Sequence, residues 1–210
     1  TFEPRVGYFT EEIAEFNDQQ QNVKRRKVIT RWRLVPKDVE AYKRGELVEP
    51  EKPIVFYIDP ATPQQWRKYL ILGVEDWNKA FEVAGFKNAI RAYEWPNDST
   101  MSLEDARYSV IRYLASDIPN AYGPHVSDPR SGEIIESHVG WYHNVMSLLH
   151  GWYQVQAGIV DARARKPKFD EELMGQLIRF VSSHEIGHTL GLRHNKGASW
   201  ATPVDSLRNK

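Results

Sequence analysis

From Pro53 onward the chain alternates between two hydrophobic periods. Ile54-Val55-Phe56-Tyr57-Ile58 is an unbroken apolar run of strand length, the pattern of a strand covered on both faces. Asp59-Pro60 ends it. Thr62-Pro63-Gln64-Gln65 then has the form of a helix start, with a Thr cap, Pro at the first position and Gln completing a capping box. Trp66, Leu70, Val74, Trp77, Phe81 and Ala84 follow at helical spacing, and Gly85 closes the helix. Residues 89–93 and 108–115 read as two further strands. Residues 121–127 and 133–142 flank Asp128-Pro129-Arg130-Ser131-Gly132, a strong turn, and read as a hairpin. Residues 144–165 predict a helix with Val145, Leu148, Leu149, Trp152 and Ile159 facing inward. Asp170 is placed to cap a last helix. Along it Leu173, Leu177 and Val181 form a stripe that His184 and His188 continue, which points both imidazoles inward.

Upstream, strand-like stretches near residues 5–9 and 28–35 precede a polar helical segment at 37–44. Residues 1–52 thus read as an N-terminal extension packed on a body formed by 53–210. The order of elements in that body predicts an α/β fold: a twisted mixed sheet, mostly parallel with one antiparallel edge strand, backed by two helices with the last helix below. A length of 210 residues suits one domain with an extension.

Composition removes several function classes. Lys+Arg and Asp+Glu are both 28, so no net positive field draws the chain to nucleic acid or an anionic membrane. Lys24-Arg25-Arg26-Lys27 is short enough to be a solvated face. With no cysteine there is no disulfide and no Cys–zinc site, and the compartment stays open. No run approaches 18 apolar residues, so no membrane-inserted helix is expected. The opening TFEPRVGYFT has neither an initiator Met nor a signal-peptide pattern, and reads as a processed product or an excised piece.

The chemistry concentrates in His184–His194, HEIGHTLGLRH. His184 and His188 are four apart, so on a helix they face the same way and can grip one ion. Gly191 follows where such a helix would end. Glycine tolerates positive φ, so the chain can turn back there and bring His194 round as a third ligand. Three imidazoles leave a fourth tetrahedral position open, the arrangement of catalytic zinc. Glu185 can reach a water at that position as general base. Five fixed positions arise by chance in a chain this long at on the order of 10⁻⁵ to 10⁻⁴, which disfavours the bland reading of core histidines beside a surface glutamate.

HEIGHTLGLRH resembles the motif of the metzincin clan of zinc endopeptidases, and the element order over about residues 53–194 resembles the upper half of a metzincin catalytic domain. PIVFYIDP (53–60), GPHVSDPRSGEII (123–135) and HEIGHTLGLRHNKGAS (184–199) are similar, more narrowly, to large zinc-dependent metalloproteases of Bacteroidetes-type bacteria that carry uncharacterised-domain labels. The resemblance implies Zn2+ held by His184, His188 and His194, with Glu185 as base. It implies a peptide or protein substrate, and a setting outside the cytoplasm. Metzincins also carry a methionine turn downstream of the third histidine. Met101, Met146 and Met174 all lie upstream, so the resemblance implies a chain that stops before the Met-turn and its lower subdomain.

The same resemblance lays an edge strand along the cleft, and residues 121–127, with the donor-poor Gly123-Pro124, have an edge strand's features. Tyr122, Gly123, Pro124, His125, Val126 and Ser127 are therefore the candidate substrate-binding residues, pairing with an extended peptide by strand addition. His138, His143 and His150, like His125 in its own right, read as structural or surface histidines rather than a second metal site. The turn accounts for Asp128 and Glu133, and Asn195 is placed to cap a turn or to support a ligand. The function expected is peptide-bond hydrolysis by zinc-activated water. Its rivals are a degenerate zincin that binds peptides or metal without turnover, and a zinc hydrolase of non-protein amides. The pattern does not decide oligomeric state.

Overall fold

The computed structural model describes residues 7–208. Of the strand expected at residues 5–9, the first two positions lie outside the described residues. The N-terminal hairpin is instead β1 (Thr10–Glu15) against β2 (Lys24–Ile29), antiparallel, with Thr10 opposite Ile29. The basic run forms most of β2 and is solvent-exposed. Arg26 bonds Glu15 at 3.0 Å, and Arg25 bonds Glu12. The strand expected at 28–35 thus ends at Ile29. Beyond it, Thr30 and Arg31 bond different neighbours one residue at a time, and Trp32 and Leu34 drop onto the core, so no ladder can continue. The short helix α1 (Val39–Lys43) is capped by Asp38.

The main sheet has five strands, in the order β4 (Ile90–Glu94), β3 (Ile54–Ile58), β5 (Ser109–Leu114), β9 (His138–Tyr142), β6 (Ala121–Tyr122). The first four are parallel, and β6 runs antiparallel on β9 with Ala121 opposite Trp141. This is the mixed α/β sheet with an antiparallel edge that the pattern predicts. β3 is an interior strand between β4 and β5, and its Ile54, Phe56 and Ile58 are buried. They pack with Leu70 and Val74 of helix α2 (Gln64–Glu75), and with Ile178, Val181 and Ile186 of helix α5 (Glu171–Thr189), in one core cluster.

Three local expectations change. The helix expected from Thr62 to Gly85 is two helices, α2 and α3 (Asn78–Val83). The break falls where α5 engages both junction side chains: Arg179 donates to Asp76 (2.8 Å), and the Trp77 indole donates to the Ser183 carbonyl (2.8 Å). Thr62 does not cap α2. Its hydroxyl is buried without a partner, and the turn is held by Asp59, which accepts from the Ala61 N–H at 2.8 Å. Residues 144–165 form helix α4 (Val145–Ala157) and a separate 3₁₀ turn (Ala162–Arg165), because Gly158 interrupts and Asp161 caps anew. Val145 and Leu149 are buried as expected, but Ile159 is 90% exposed and Trp152 half-exposed.

The expected hairpin is also divided. Gly123-Pro124-His125 separates β6 from β7 (Val126–Ser127), which pairs with β8 (Ile134–Glu136) in its own two-stranded sheet. Of the two segments, only β6 therefore lies in the main sheet, at the edge opposite β4. Among the described residues no helix is long and apolar enough to cross a membrane.

Candidate metal centre

Helix α5 carries the site and is fixed at both ends. At its start Asp170 accepts from the Leu173 N–H at 2.9 Å, as the capping position predicts. Midway the Ser182 hydroxyl donates to the Leu70 carbonyl of α2 at 2.9 Å. At its end Gly191 adopts φ 93°. The Leu192 N–H donates to the Gly187 carbonyl and the Gly191 N–H to that of His188. This is a Schellman stop, and only the left-handed conformation at Gly191 permits it without strain.

The turn returns His194 to the helix. Its Nε2 lies 3.1 Å from Nε2 of His184 and 3.1 Å from Nε2 of His188. A ring nitrogen has either one hydrogen or one lone pair, so these two contacts of His194 cannot both be hydrogen bonds. The Nδ1–H of His188 donates to the Leu192 carbonyl at 2.8 Å, which leaves a bare lone pair on its Nε2. Partial desolvation by the cleft walls, and then the neighbouring imidazoles, hold His184 below the usual histidine pKa, which favours the neutral form a ligand needs. A tetrahedral zinc with Zn–N of about 2.0–2.1 Å requires nitrogens roughly 3.3 Å apart, so the triad fits that ion in spacing and in donor type. Among the described residues it is the one such group of three. The side chains do not point into the core as the stripe predicts. His184 is exposed and His188 partly so, because the stripe runs out of the core into an open cleft.

That cleft has a volume of about 670 Å³ and is lined by all three histidines and Glu185. Glu185 is only 7% exposed. Burial raises its pKa, against the opposing pull of His188 and of the Gly123 N–H. One wall is the sheet edge, Ala121 to Pro124. The other is apolar: Val145, Leu148 and Trp152 of α4 with Phe180 and Val181 of α5.

Of the six candidate substrate-binding residues, Tyr122, Gly123 and Pro124 line the cleft. His125, Val126 and Ser127 do not. The His125 ring packs on Phe9, with centroids 5.6 Å apart, and burial lowers its pKa. Val126 and Ser127 belong to the side sheet, and the Ser127 hydroxyl donates to Glu11 at 3.0 Å. Pattern reading missed Phe9, Phe180 and the cleft-facing turn of Trp152. Phe180 lies three residues after Leu177 and four before His184 on the same helix, and that spacing could have found it. Phe9 arrives by a long-range contact without a local signal. His138, His143 and His150 each have a structural neighbour: Glu136 at 3.0 Å, the Tyr113 hydroxyl, and the Lys166 carbonyl at 3.0 Å. Asn195 accepts from the Ala198 N–H at 3.2 Å and caps helix α6 (Lys196–Ala201). Asp128 accepts from the Arg130 N–H at 2.9 Å within its turn.

Residues 166–210 match the model of a family described as Met-zincin. Residues 1–37 match one described as Domain of unknown function (DUF5117). No curated protein and no solved structure matches the chain. The Met-zincin stretch holds Glu185 and all three histidines, so the segment carrying the site is that of a zinc metallopeptidase-like domain, with a metal implied and a histidine triad able to bind it.

Proposed function

We propose that the chain hydrolyses internal peptide bonds of peptides or proteins with Zn2+ on His184, His188 and His194 and Glu185 as general base. The observation that carries this reading is the convergence of three imidazole Nε2 atoms, 3.1 Å apart at His194, in a cleft shared with a buried glutamate and a free sheet edge. An extended peptide fits along β6, which among the described residues has no strand partner other than β9. Tyr122 offers backbone groups there, while the Gly123 N–H is engaged by Glu185 and Pro124 has no N–H. When bound, zinc would polarise the scissile carbonyl and acidify water. Glu185 accepts the proton of the attacking water and delivers it to the leaving amine, and its raised proton affinity suits both transfers. The apolar wall of Trp152 and Phe180 takes a large apolar side chain of the substrate. By resemblance to large bacterial zinc-dependent metalloproteases the enzyme works outside the cytoplasm.

Glu185→Gln tests the assignment. In the natural protein it should keep stoichiometric zinc and lose about 10²–10⁴-fold in peptide turnover. Turnover equal to wild type would remove Glu185 as the base. A zinc-loaded wild type that hydrolyses small amides and spares every peptide would overturn the substrate class.

A further inference from the structure

We infer that the N-terminal segment is a positioning part of the metal centre: residues 7–9 and 30–32 hold the turn that delivers His194, and so set the triad's affinity for its metal. This rests on the reading of the triad as a metal site. His194 lies beyond the end of α5 and before the start of α6, on a stretch with no helix of its own. Its Nε2 must nonetheless meet two nitrogens that a rigid helix presents.

The turn is clamped from outside. The Phe9 N–H donates to the Gly191 carbonyl at 2.7 Å, and the Arg193 N–H donates to the Gly7 carbonyl at 2.6 Å. These two bonds frame an antiparallel bridge between Tyr8 and Leu192, and the Leu192 carbonyl is the one that orients His188. The clamp is itself anchored. The Thr30 N–H donates to the Phe9 carbonyl at 2.9 Å, and Arg31 bonds Gly132 and Ile134 of the side sheet, both at 2.9 Å. The Thr30 carbonyl also fills the space beside Gly191, where a β-carbon would stand 2.2 Å from it. The Trp32 indole donates to the Thr189 carbonyl at 2.9 Å, one residue past His188, and the Phe9 ring stands edge-on to that imidazole.

The ordering cost of the ligand turn is therefore met when the chain folds and not when metal arrives, which is how preorganisation raises affinity. The stretch matching the domain of unknown function thereby acquires a physical role toward the stretch matching Met-zincin.

The test uses the whole chain carrying Phe9→Ala with Trp32→Phe, and Phe86→Leu as control. Phe86 lies in a separate apolar cluster with Ala41, Val48 and Ala89. Zinc affinity is measured by competition with a chromophoric chelator, ligand geometry by the visible bands of the Co(II)-substituted chain, and local opening by amide exchange at Leu192 and Arg193 in the metal-free chain. Expected are a zinc Kd raised roughly 10–100-fold, the range for lost outer-sphere support, altered Co(II) bands, and faster exchange at the turn with that of mid-α5 unchanged. The control should unfold at a lower temperature with an unmoved Kd. Zinc affinity and Co(II) bands equal to wild type in the double variant would overturn the inference and leave the metal site standing. A wild type that binds neither metal overturns both. A wild type that binds zinc yet cleaves no peptide bears only on the proposed reaction. Should the double variant not fold, Trp32→Phe alone, which deletes one N–H, is held to the same two outcomes.

Discussion

The backbone of Gly123 lies against the carbonyl of Glu185 so closely that a β-carbon at 123 would stand 2.3 Å from that oxygen. The segment after β6 and helix α5 thus touch backbone to backbone at Glu185, the proposed general base. Gly123→Ala must push the edge off the helix. It should cost about 1–3 kcal/mol of stability, as overpacking does. On the proposed binding mode, in which the edge positions substrate, peptide kcat/KM should fall by about 10²-fold for a displacement near 1 Å. Zinc content should stay stoichiometric. Denaturant titration, steady-state kinetics and metal analysis check the three parts, and unchanged kinetics would separate the edge strand from substrate binding.

Zinc should stabilise the chain without being needed to fold it. The main core cluster is apolar and contains none of the histidine triad, which sits at a cleft. Free zinc at about 100 times its Kd should add about 2.7 kcal/mol, roughly 5–10 °C in melting temperature for a chain of this size. His188→Ala should abolish that increment, and chelation should leave the far-ultraviolet circular dichroism intact. Unfolding on chelation would instead make the metal a structural one.

The join between α2 and the start of α5 should show in acid. The Tyr69 hydroxyl donates to the Glu172 carboxylate at 2.8 Å. Bonds from Gln176 and then Tyr69 hold the Glu172 pKa below its usual value. A depressed folded pKa contributes stability that is present above the unfolded value of 4.5 and is lost as pH falls through the folded one. Tyr69→Phe should therefore be less stable than wild type at pH 7, with the gap closing as the medium is acidified below that value. A gap that is constant with pH would assign the loss to packing.

Trp152 is half-exposed on the cleft wall, so its removal should spare the fold. Trp152→Ala should lower kcat/KM roughly tenfold for peptides with a large apolar residue next to the cleaved bond, the lower range for an apolar pocket contact. Small-residue peptides should be little affected. Equal losses on both peptide sets would place the wall outside the specificity pocket.

Much of this molecule is local and therefore written along the chain. The four-residue step from His184 to His188, the glutamate between them and the glycine at the helix end need only helix geometry and the freedom of Gly191. The buried run Ile54–Ile58 and the Asp170 cap are legible for the same reason. What tertiary structure alone decided are meetings between distant segments. Trp152 shares a helix with the buried Leu149, yet it faces a cleft because Phe180 and the sheet edge leave that side open. The helix beginning at Gln64 stops at Glu75 because α5 captures Asp76 and Trp77. Phe9 reaches the turn before His194, and Gly123 reaches Glu185, through backbone contacts, to which side-chain patterns are blind. Periodicity reports which face of an element is apolar; which partner covers that face, and which stays open for a substrate, depends on how the elements pack together.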